Sequence, residues 1–311
     1  MKIYFYTIFT VIFLFFCSTT LTAGVYFEDS FENTVTNQGP DHVDPVSDAQ
    51  WGSARSCEVV DSSLTSITPH TGSKILRLRW GAGDHSSTWA EQRFDLGSPQ
   101  TGDVYIRYYV YYPDGTEPDE NKYVHRDGPD ADNNKLMRLW GAEYEDPIKV
   151  GARTMPPLGD YAEIFSFTAN VSAYHVNGCS GAQGSAYLNE SLLPTWNMQN
   201  SDLGRWMCFE FHYRRDTGED NGAFEFWVDG ESKISETNFV IEGAPCSPGY
   251  FMLGYLMGWA NSGFDTDINI YIDDVVFSDS YIGPIHKQIT TGSGTKQLDF
   301  SGSPTKQIVF Y

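Results

Sequence analysis

The sequence predicts an all-β fold, a two-sheet antiparallel sandwich of the jelly-roll kind, from three observations. Short runs of aromatic and β-branched residues recur along the 311-residue chain, and Gly, Pro, Asp and Ser separate them. No segment shows the 3.6-residue periodicity that a long amphipathic helix requires. Several runs alternate strictly between apolar and polar residues, which is typical of strands with one buried face. Together these features favour a sandwich built from many short strands.

The clearest alternation lies in residues 206–231, WMCFEFHYRRDTGEDNGAFEFWVDGE, which we interpret as two strands joined by a polar turn. One face is apolar and is predicted to enter the core: Phe209, Phe211, Tyr213, Phe224, Phe226 and Val228. The other face carries titratable groups and a tryptophan: Glu210, His212, Arg214, Glu225 and Trp227. That polar face is either a solvated surface or the floor of a groove, and we favour the groove.

Further strands are predicted in chain order. They correspond to residues 25–33, 57–63, 74–82, 88–96, 104–113, 134–146, 162–176, 250–260 and 268–278. A polar insert at 114–134 is too hydrophilic to form a core of its own, and such long loops are often functional.

The chain divides into three parts. Residues 1–23 form a predicted signal peptide, because Lys2 precedes an apolar run that is too short for a transmembrane span. Residues 24–284 form the predicted jelly-roll domain, and no later segment is apolar enough to cross a bilayer. Residues 285–311 repeat a KQ(I/L) unit of β character, interpreted as a surface appendage or linker, with attachment as the alternative. We therefore expect a protein secreted to the periplasm or the exterior.

Charge and cysteines constrain the partners. The formal net charge of −21 argues against nucleic acid and anionic membranes as partners, and only cations concentrated in one cleft would admit a polyanionic substrate.

Outside the signal peptide the number of cysteines is even, so two disulfides are predicted in an oxidising compartment. These cysteines are Cys57, Cys179, Cys208 and Cys246. Three pairings are open, and a staple between the loop-like Cys179 and Cys246 is preferred.

The segments GRWMCFEFHYRRDTGEDNGAFEFWVDGE and INIYIDDVVFSDSYIGP resemble secreted concanavalin A-like (laminin-G-like) jelly-roll proteins. In that superfamily a W…(N/D)G…WVDG hairpin and a terminal YIDDVV strand recur. The resemblance covers residues 25–284 and implies a jelly roll that acts on or binds polysaccharide.

A second resemblance points to an activity. NKLMRLWG is similar to the KLPGL-type strand of jelly-roll polysaccharide lyases, which cleave acidic glycans by β-elimination, and Lys135 matches a lysine of their catalytic cleft. The strand AEIFSFTANVSAYHV is similar to one that supplies a serine, an arginine and tyrosines. Ser166 and Tyr174 match the serine and a tyrosine, whereas Thr168 stands where the arginine is expected.

β-Elimination on a uronic acid requires a cation at the carboxylate, a base for the C5 proton and an acid for the leaving oxygen. The predicted catalytic residues are Lys135, Arg138, His212, Tyr109 and Tyr174. The predicted substrate-binding residues are Arg107, Tyr111, Trp140, Glu210, Arg214, Trp227 and Trp259. This hypothesis requires that the strands carrying them share one concave sheet. A uronic-acid-containing polysaccharide is the expected partner.

Two other functions stay open. The first alternative is a non-catalytic carbohydrate-binding or adhesion module, because exposed aromatic rings stack on sugars. The second is a glycoside hydrolase, which needs two carboxylates across the scissile bond. Glu210 and Glu225 could serve, but ordinary cross-strand polar partnership explains them better.

A structural calcium ion is the one cofactor predicted. Related jelly rolls join their first and last strands through such an ion, and carboxylate oxygens suit it. Glu28, Asp29 and Asp274 are the predicted ligands. By alternation, either Asp273 or Asp274 should point inward, where a carboxylate needs a partner. A buried aspartate capped by backbone N–H groups is the alternative.

Overall fold

The structure is a computed structural model, and it describes a defined part of the chain. The described residues are 24–83, 89–126, 134–142, 148–155, 163–173, 196–215, 221–239, 249–261, 263–285, 290–291 and 294–295. Within them the secondary structure is almost entirely β, with one 3-10 turn at Asn200–Asp202. None of the described residues belongs to a helix with the length and hydrophobicity of a membrane span.

The first sheet has eight antiparallel strands. Their bounds are β1 Val25–Asp29, β3 Cys57–Asp61, β4 Lys74–Trp80, β6 Asp103–Tyr111, β11 Trp206–Arg214, β12 Gly222–Val228, β13 Glu231–Phe239 and β15 Ile268–Ser278. Their spatial order is β13-β12-β11-β6-β15-β4-β3, and β1 pairs with β15 beside this path.

The second sheet has seven antiparallel strands. Their bounds are β2 Gln50–Arg55, β5 Trp89–Gln100, β7 Asn134–Trp140, β8 Ile148–Met155, β9 Glu163–Ala173, β10 Trp196–Gln199 and β14 Phe251–Trp259. Their order is β10-β9-β8-β7-β14-β5-β2. The chain crosses repeatedly between the sheets, as from β4 through β5 and β6 to β7, whereas β7–β10 and β11–β13 each stay within one sheet, and the result is a jelly-roll sandwich.

The core lies between the inner faces of the two sheets, and the hairpin predicted from alternation is confirmed. The facing pairs are Phe209 with Val228, Phe211 with Phe226, and Tyr213 with Phe224, all in the core. Strand β12 then turns into β13 through Asp229 and Gly230, whose φ angles are 54° and 82°. Consecutive positive φ angles at an Asp-Gly pair match a tight type I′ hairpin turn.

The all-β, two-sheet jelly-roll prediction is therefore confirmed. Beyond the sandwich, the described tail residues form a minimal antiparallel pair, β16 (Thr290–Thr291) and β17 (Gly294–Thr295). The predicted signal peptide at 1–23 and the three repeated lysines of the tail lie outside the described residues.

Candidate functional site

Four of the five predicted catalytic residues are described, and they lie on the outer faces of two different sheets. Lys135 and Arg138 belong to β7 in the second sheet, whereas His212 on β11 and Tyr109 on β6 belong to the first. Their expected convergence in one groove is not found. The physical reason is that alternation determines which residues share a strand face but leaves the sheet assignment open.

On the first sheet, the chain itself covers much of the outer face. After β15, residues 281–285, which we call the strap, cross over β6 and β11. Both carboxylate oxygens of Glu210 accept backbone hydrogen bonds from the strap, at 2.7 Å from Ile282 N and 2.8 Å from Gly283 N. Arg107 donates to the carbonyl of Gly283 at 3.2 Å, and the hydroxyl of Tyr109 accepts from Ile285 N at 2.5 Å.

This coverage withdraws three predicted site residues from solvent. Glu210, Tyr109 and Arg107 are only 1%, 5% and 6% exposed. Burial raises the pKa of Glu210, and burial also raises the pKa of Tyr109, which makes its hydroxyl a poorer proton donor. These side chains anchor the strap instead of facing a substrate.

His212 is also held by neighbours within the first sheet. Its Nδ1 lies 2.8 Å from Glu225 Oε2 and its Nε2 lies 2.6 Å from Asp103 Oδ1. The imidazole stacks on the ring of Tyr105 with centroids 4.2 Å apart and is 3% exposed. Glu225 also faces His212 in register, as an ordinary cross-strand polar partner. Both ring nitrogens are thus occupied by carboxylates.

The remaining candidates of the first sheet have mixed environments. Arg214 donates to the carbonyl of Asn221 at 2.8 Å, and the hydroxyl of Tyr111 bonds Glu117. Trp227 is half-buried, and its ring lies beside that of Tyr281. Among the described aromatic site residues predicted on this sheet, Trp227 and Tyr111 therefore remain partly exposed.

The outer face of the second sheet is also buried at its centre, where Tyr255 is 2% and Arg138 is 7% exposed. Tyr255 on β14 pairs in register with Arg93 on β5 on one side and with Arg138 on β7 on the other. Their sequence neighbours Phe94, Leu139 and Leu256 lie in the core, so by alternation the three side chains share the opposite face. A tyrosine flanked by two arginines thus forms the centre of this face.

Lys135 extends the cationic row. Its ammonium lies 5.1 Å from the ring centroid of Trp259 and donates to Asn261 Oδ1 at 3.1 Å. Gly258 allows this arrangement, since a Cβ there would come within 2.9 Å of the Tyr255 ring and 3.1 Å of Lys135 Cβ. The close approach at Gly258 brings the tyrosine and the lysine together.

Glu91 organises the neighbouring edge of the face. Its two oxygens accept hydrogen bonds at 2.7 Å each, one from Trp89 Nε1 and one from Arg93 Nε. The Trp89 ring meets Trp259 edge-on at 4.7 Å, and the guanidinium of Arg55 lies 3.7 Å from the Trp89 centroid. This edge therefore combines aromatic rings with two arginines.

A cavity of about 360 Å³ opens beside the row. Its lining includes Arg93, Asp95, Gln50, Leu253 and Trp140, and the Trp140 ring packs 5.6 Å from Tyr255. Trp140, predicted as a substrate-binding residue, therefore lies on the same face as Lys135 and Arg138. We call this face, with Arg93, Lys135, Arg138, Tyr255, Trp140 and Trp259, the second-sheet groove.

Strands β8 and β9 follow β7 in the second sheet. Arg153 on β8 pairs with Lys135 on one side and with Thr168 on β9 on the other. Arg153 thus lies on the strand next to Thr168, the position at which the resemblance to polysaccharide lyases predicts an arginine. Ser166 lies on β9 opposite Met155. Tyr174 lies outside the described residues.

Sequence reasoning missed Arg93, Tyr255, Trp89 and Glu91. The runs TWAEQRFDL and YFMLGYLMGWA contained the signal, because alternation separates these residues from the apolar Phe94 and Leu256. Alternation within these runs does not show that β5, β14 and β7 are adjacent strands of one sheet.

The predicted calcium ligands do not converge. Asp29 accepts hydrogen bonds from Trp51 Nε1 at 2.6 Å and from the backbone N–H of Phe31 at 2.7 Å. Glu28 is exposed, and Asp274 contacts His70 Nδ1 at 2.6 Å. Within the described part of the chain, no group of three His, Cys, Asp or Glu side chains is placed to hold a metal ion. Asp29 and Asp274 are thus engaged by protein groups, and the calcium ion stays a prediction. The capped-aspartate alternative fits Asp273, which accepts hydrogen bonds from the backbone N–H groups of Thr71 at 3.0 Å and Asp274 at 2.8 Å.

The aspartate pair departs from alternation. Asp274 has a φ of 49°, in the left-handed region, and the register of β15 with β6 shifts after Asp273. As a result both carboxylates reach the same loop: Asp273 accepts from Thr71 N at 3.0 Å, and Asp274 contacts His70. Burial, and then the nearby Asp274 charge, raise the pKa of Asp273 to about 8.

The cysteines that are described do not form disulfides. Cys57 and Cys208 are both free thiols, and burial raises the pKa of each to about 12. Cys57 donates to the Glu91 carbonyl between the sheets, whereas Cys208 lies beside Tyr109 on the outer face. Their predicted participation in disulfides is thus not observed. Cys179 and Cys246 lie outside the described residues.

Comparison with known proteins identifies the fold. No protein-family model and no curated protein matches the chain. The solved structure of the alginate lyase Aly36B aligns with a TM-score of 0.50 at 13% identity, over 83% of this chain and 98% of that chain. An Aly36B mutant in complex with alginate trisaccharide gives 0.51 at 12% identity, over 81% and 96%. An endo-β-1,4-glucuronan lyase from the fungus Trichoderma reesei gives 0.43 at 9%, over 78% and 95%. The two Aly36B alignments show that this chain shares the fold of that lyase.

Proposed function

We propose that this protein is a polysaccharide lyase that cleaves a uronic-acid-containing glycan by β-elimination in the second-sheet groove. The observation that carries the proposal is the row formed by Arg93, Tyr255 and Arg138 on three adjacent strands, with Lys135 beside it. The alginate lyase Aly36B uses the same fold, so the architecture is compatible with this chemistry.

Removal of the C5 proton places negative charge on the uronate carboxyl group. Fixed cations stabilise that charge most effectively when they are positioned before the reaction. Arg138 and Lys135 are assigned this role, because they extend from one strand and Lys135 is already held by Asn261. A concentration of cations on this face also offsets the repulsion that a chain of net charge −21 would exert on a polyanion.

Proton transfer needs a group that can lie close to the sugar ring. Tyr255 is assigned this role, since it lies at the centre of the row, between two arginines in register. The C5 proton is removed, the C4–O bond breaks, a C4=C5 double bond forms and the leaving oxygen is protonated. Tyr174, predicted from the lyase resemblance, remains a second candidate for one of these two proton transfers.

Aromatic rings in the groove supply sugar contacts. Trp259 and Trp89 meet edge-on at one end, and Trp140 lines the cavity at the other. Rings of this kind stack on pyranose faces, while polar groups at their edges fix orientation. Arg93, whose side chain is 37% exposed and is oriented by Glu91, is assigned to binding.

The test is the appearance of an unsaturated, ultraviolet-absorbing product. Purified protein is incubated with alginate, glucuronan and glycosaminoglycans, with a neutral glucan as the negative control. The proposal expects absorbance to rise with at least one uronic-acid polymer, and Arg93→Ala to reduce the rate. Arg79→Ala, a matched change on the first sheet where the side chain is 59% exposed, is expected to have no effect. No absorbance with any uronic-acid polymer would remove the lyase function.

A further inference from the structure

We propose a second carbohydrate-binding surface on the outer face of the first sheet, which takes neutral polysaccharide. It consists of the rings of Tyr105, Trp227 and Tyr281, here named the aromatic strip. Trp227 lies 5.2 Å from Tyr281 and 6.4 Å from Tyr105, centroid to centroid. This surface is separate from the second-sheet groove, because the sandwich core lies between them.

The strip is open to solvent at its outer end. Tyr281 is 47% exposed, and both Tyr105 and Trp227 are half-buried. Large aromatic side chains are usually covered, so adjacent exposed rings indicate a binding surface more often than an isolated one does. The angle of 29° between Tyr105 and Trp227 leaves two nearly parallel rings on the same face.

Buried polar groups hold the strip in place from below. Tyr105 stacks on His212 at 4.2 Å with an interplanar angle of 5°, and His212 is fixed by Asp103 and Glu225. At the other end, Glu210 binds the backbone directly after Tyr281. A rigid platform loses little conformational entropy when a ligand binds, which favours a binding role. His212, predicted to be catalytic, thus supports the aromatic strip.

The charges beside the strip select the ligand. Asp103 and Glu225 have side chains 35% and 21% exposed, and each can accept hydrogen bonds from sugar hydroxyls. The same carboxylates would repel a polyuronate, and the nearby cation Arg214 already lies 3.4 Å from Asp103. A neutral polysaccharide is therefore the ligand that this surface fits. An acidic polymer fits the opposite sheet.

The two surfaces would let one molecule hold a neutral polymer while it acts on an acidic one. This arrangement suits a substrate embedded in a mixed polysaccharide matrix. The binding surface does not depend on the lyase proposal, since neither ring contacts nor the strap involve residues of the second-sheet groove.

The test is depletion of the full chain from solution by insoluble cellulose, insoluble β-1,3-glucan and insoluble mannan. Wild-type protein should bind at least one of them, and Tyr281→Ala and Trp227→Ala should each weaken that binding about tenfold, as expected when one stacking ring is lost. Tyr250→Ala, a half-buried tyrosine before β14, is the matched control and should bind like wild type.

Each result decides the proposal. Retention of wild-type binding by both strip variants, or no depletion by any neutral polymer, would overturn it. Binding of wild-type protein to an insoluble acidic polymer would also overturn the proposal if the strip variants weakened that binding equally. The carboxylates beside the strip would then not exclude acidic ligands. Turnover of soluble uronic-acid polymer by Tyr281→Ala should stay at the wild-type rate, so that failure of this surface and failure of the lyase are distinguished.

Discussion

The two outer faces of the sandwich carry similar residue types but use them differently. On the first sheet, Glu210, Arg107 and His212 are buried and bonded to the protein itself, partly through the strap. On the second sheet, Tyr255 and Arg138 are also buried, at 2% and 7% exposure, but they lie with the partly exposed Arg93 beside a cavity. Titratable groups on the polar face of a strand can therefore either anchor another segment of the chain or line a groove.

What separates the two cases is the destination of each polar atom. Buried donors and acceptors must be paired, and on the first sheet the strap supplies the partners. Alternation along a strand shows which polar side chains it carries, but it does not show which segment of the chain covers them. The predictions below use paired substitutions on the two faces, in order of decreasing expected effect.

Apart from loss of the Tyr255 hydroxyl group, the largest effect is expected for Lys135→Ala. Loss of one preorganised charge-stabilising group typically costs about 10²–10³-fold in turnover. Initial rates of product absorbance measure this change. Lys233→Ala, which removes a lysine of the first sheet paired with Glu231, should leave the rate unchanged. Equal rates for the two variants would place the reaction elsewhere.

His212→Ala should reduce stability without reducing the turnover of the folded protein. The substitution removes a buried partner from both Asp103 and Glu225, and such losses cost about 1–3 kcal/mol. Urea unfolding at pH 7 gives the free energy of unfolding, and activity is normalised to folded protein. A fall in normalised turnover matching that of Lys135→Ala would restore His212 to the catalytic site.

Asp273 should make the free energy of unfolding fall as pH rises. Its folded pKa of about 8 lies above its unfolded value of about 3.9, so between these pH values the folded state binds a proton that the unfolded state lacks. Stability from this group is complete below about pH 4 and is lost as pH approaches 8. Asp273→Asn should flatten the profile by about 1.4 kcal/mol or more between pH 5 and pH 8, measured by urea unfolding. An unchanged profile would show that Asp273 does not govern this pH dependence.

The smallest effect is expected for Tyr109→Phe. It removes the acceptor of the Ile285 N–H and should cost about 0.5–1.5 kcal/mol. Hydrogen exchange at the Ile285 amide should accelerate, while the rate with uronic-acid polymer stays constant. Unchanged protection of that amide would mean that the strap is held without Tyr109.

The calcium prediction can be tested by melting the protein with and without a chelator. Because Asp29 and Asp274 are bonded to different neighbours, a structural ion would have to use other donors. A fall in melting temperature with chelator would identify such a site, and the same temperature would end the hypothesis.

The sequence predicted local structure well and tertiary placement poorly. Alternation correctly assigned Phe209, Phe211 and Phe226 to the core, because side-chain direction along a strand is a local property. It did not place Lys135 and His212 on opposite faces, because sheet order depends on pairing between distant strands. It also could not foresee the left-handed turn at Asp274, where alternation fails.

The same limit explains the residues that were missed. Tyr255 becomes a candidate only once Arg93 and Arg138 are seen on either side of it, and strand β6 and the polar insert separate these arginines in sequence. Conversely, Glu210 looks available in sequence, and only the strap removes it from solvent.

The most direct test of the second-sheet groove compares Tyr255→Phe with Tyr105→Phe. Each change deletes one hydroxyl and keeps the ring, one on each outer face. On the uronic-acid polymer that wild-type protein cleaves, the account predicts that Tyr255→Phe lowers turnover about 10²–10⁴-fold, the usual contribution of a positioned proton-transfer group. Tyr105→Phe is predicted to retain the wild-type rate. Full activity of Tyr255→Phe, or an equal loss in Tyr105→Phe, would contradict the assignment of the reaction to the second sheet.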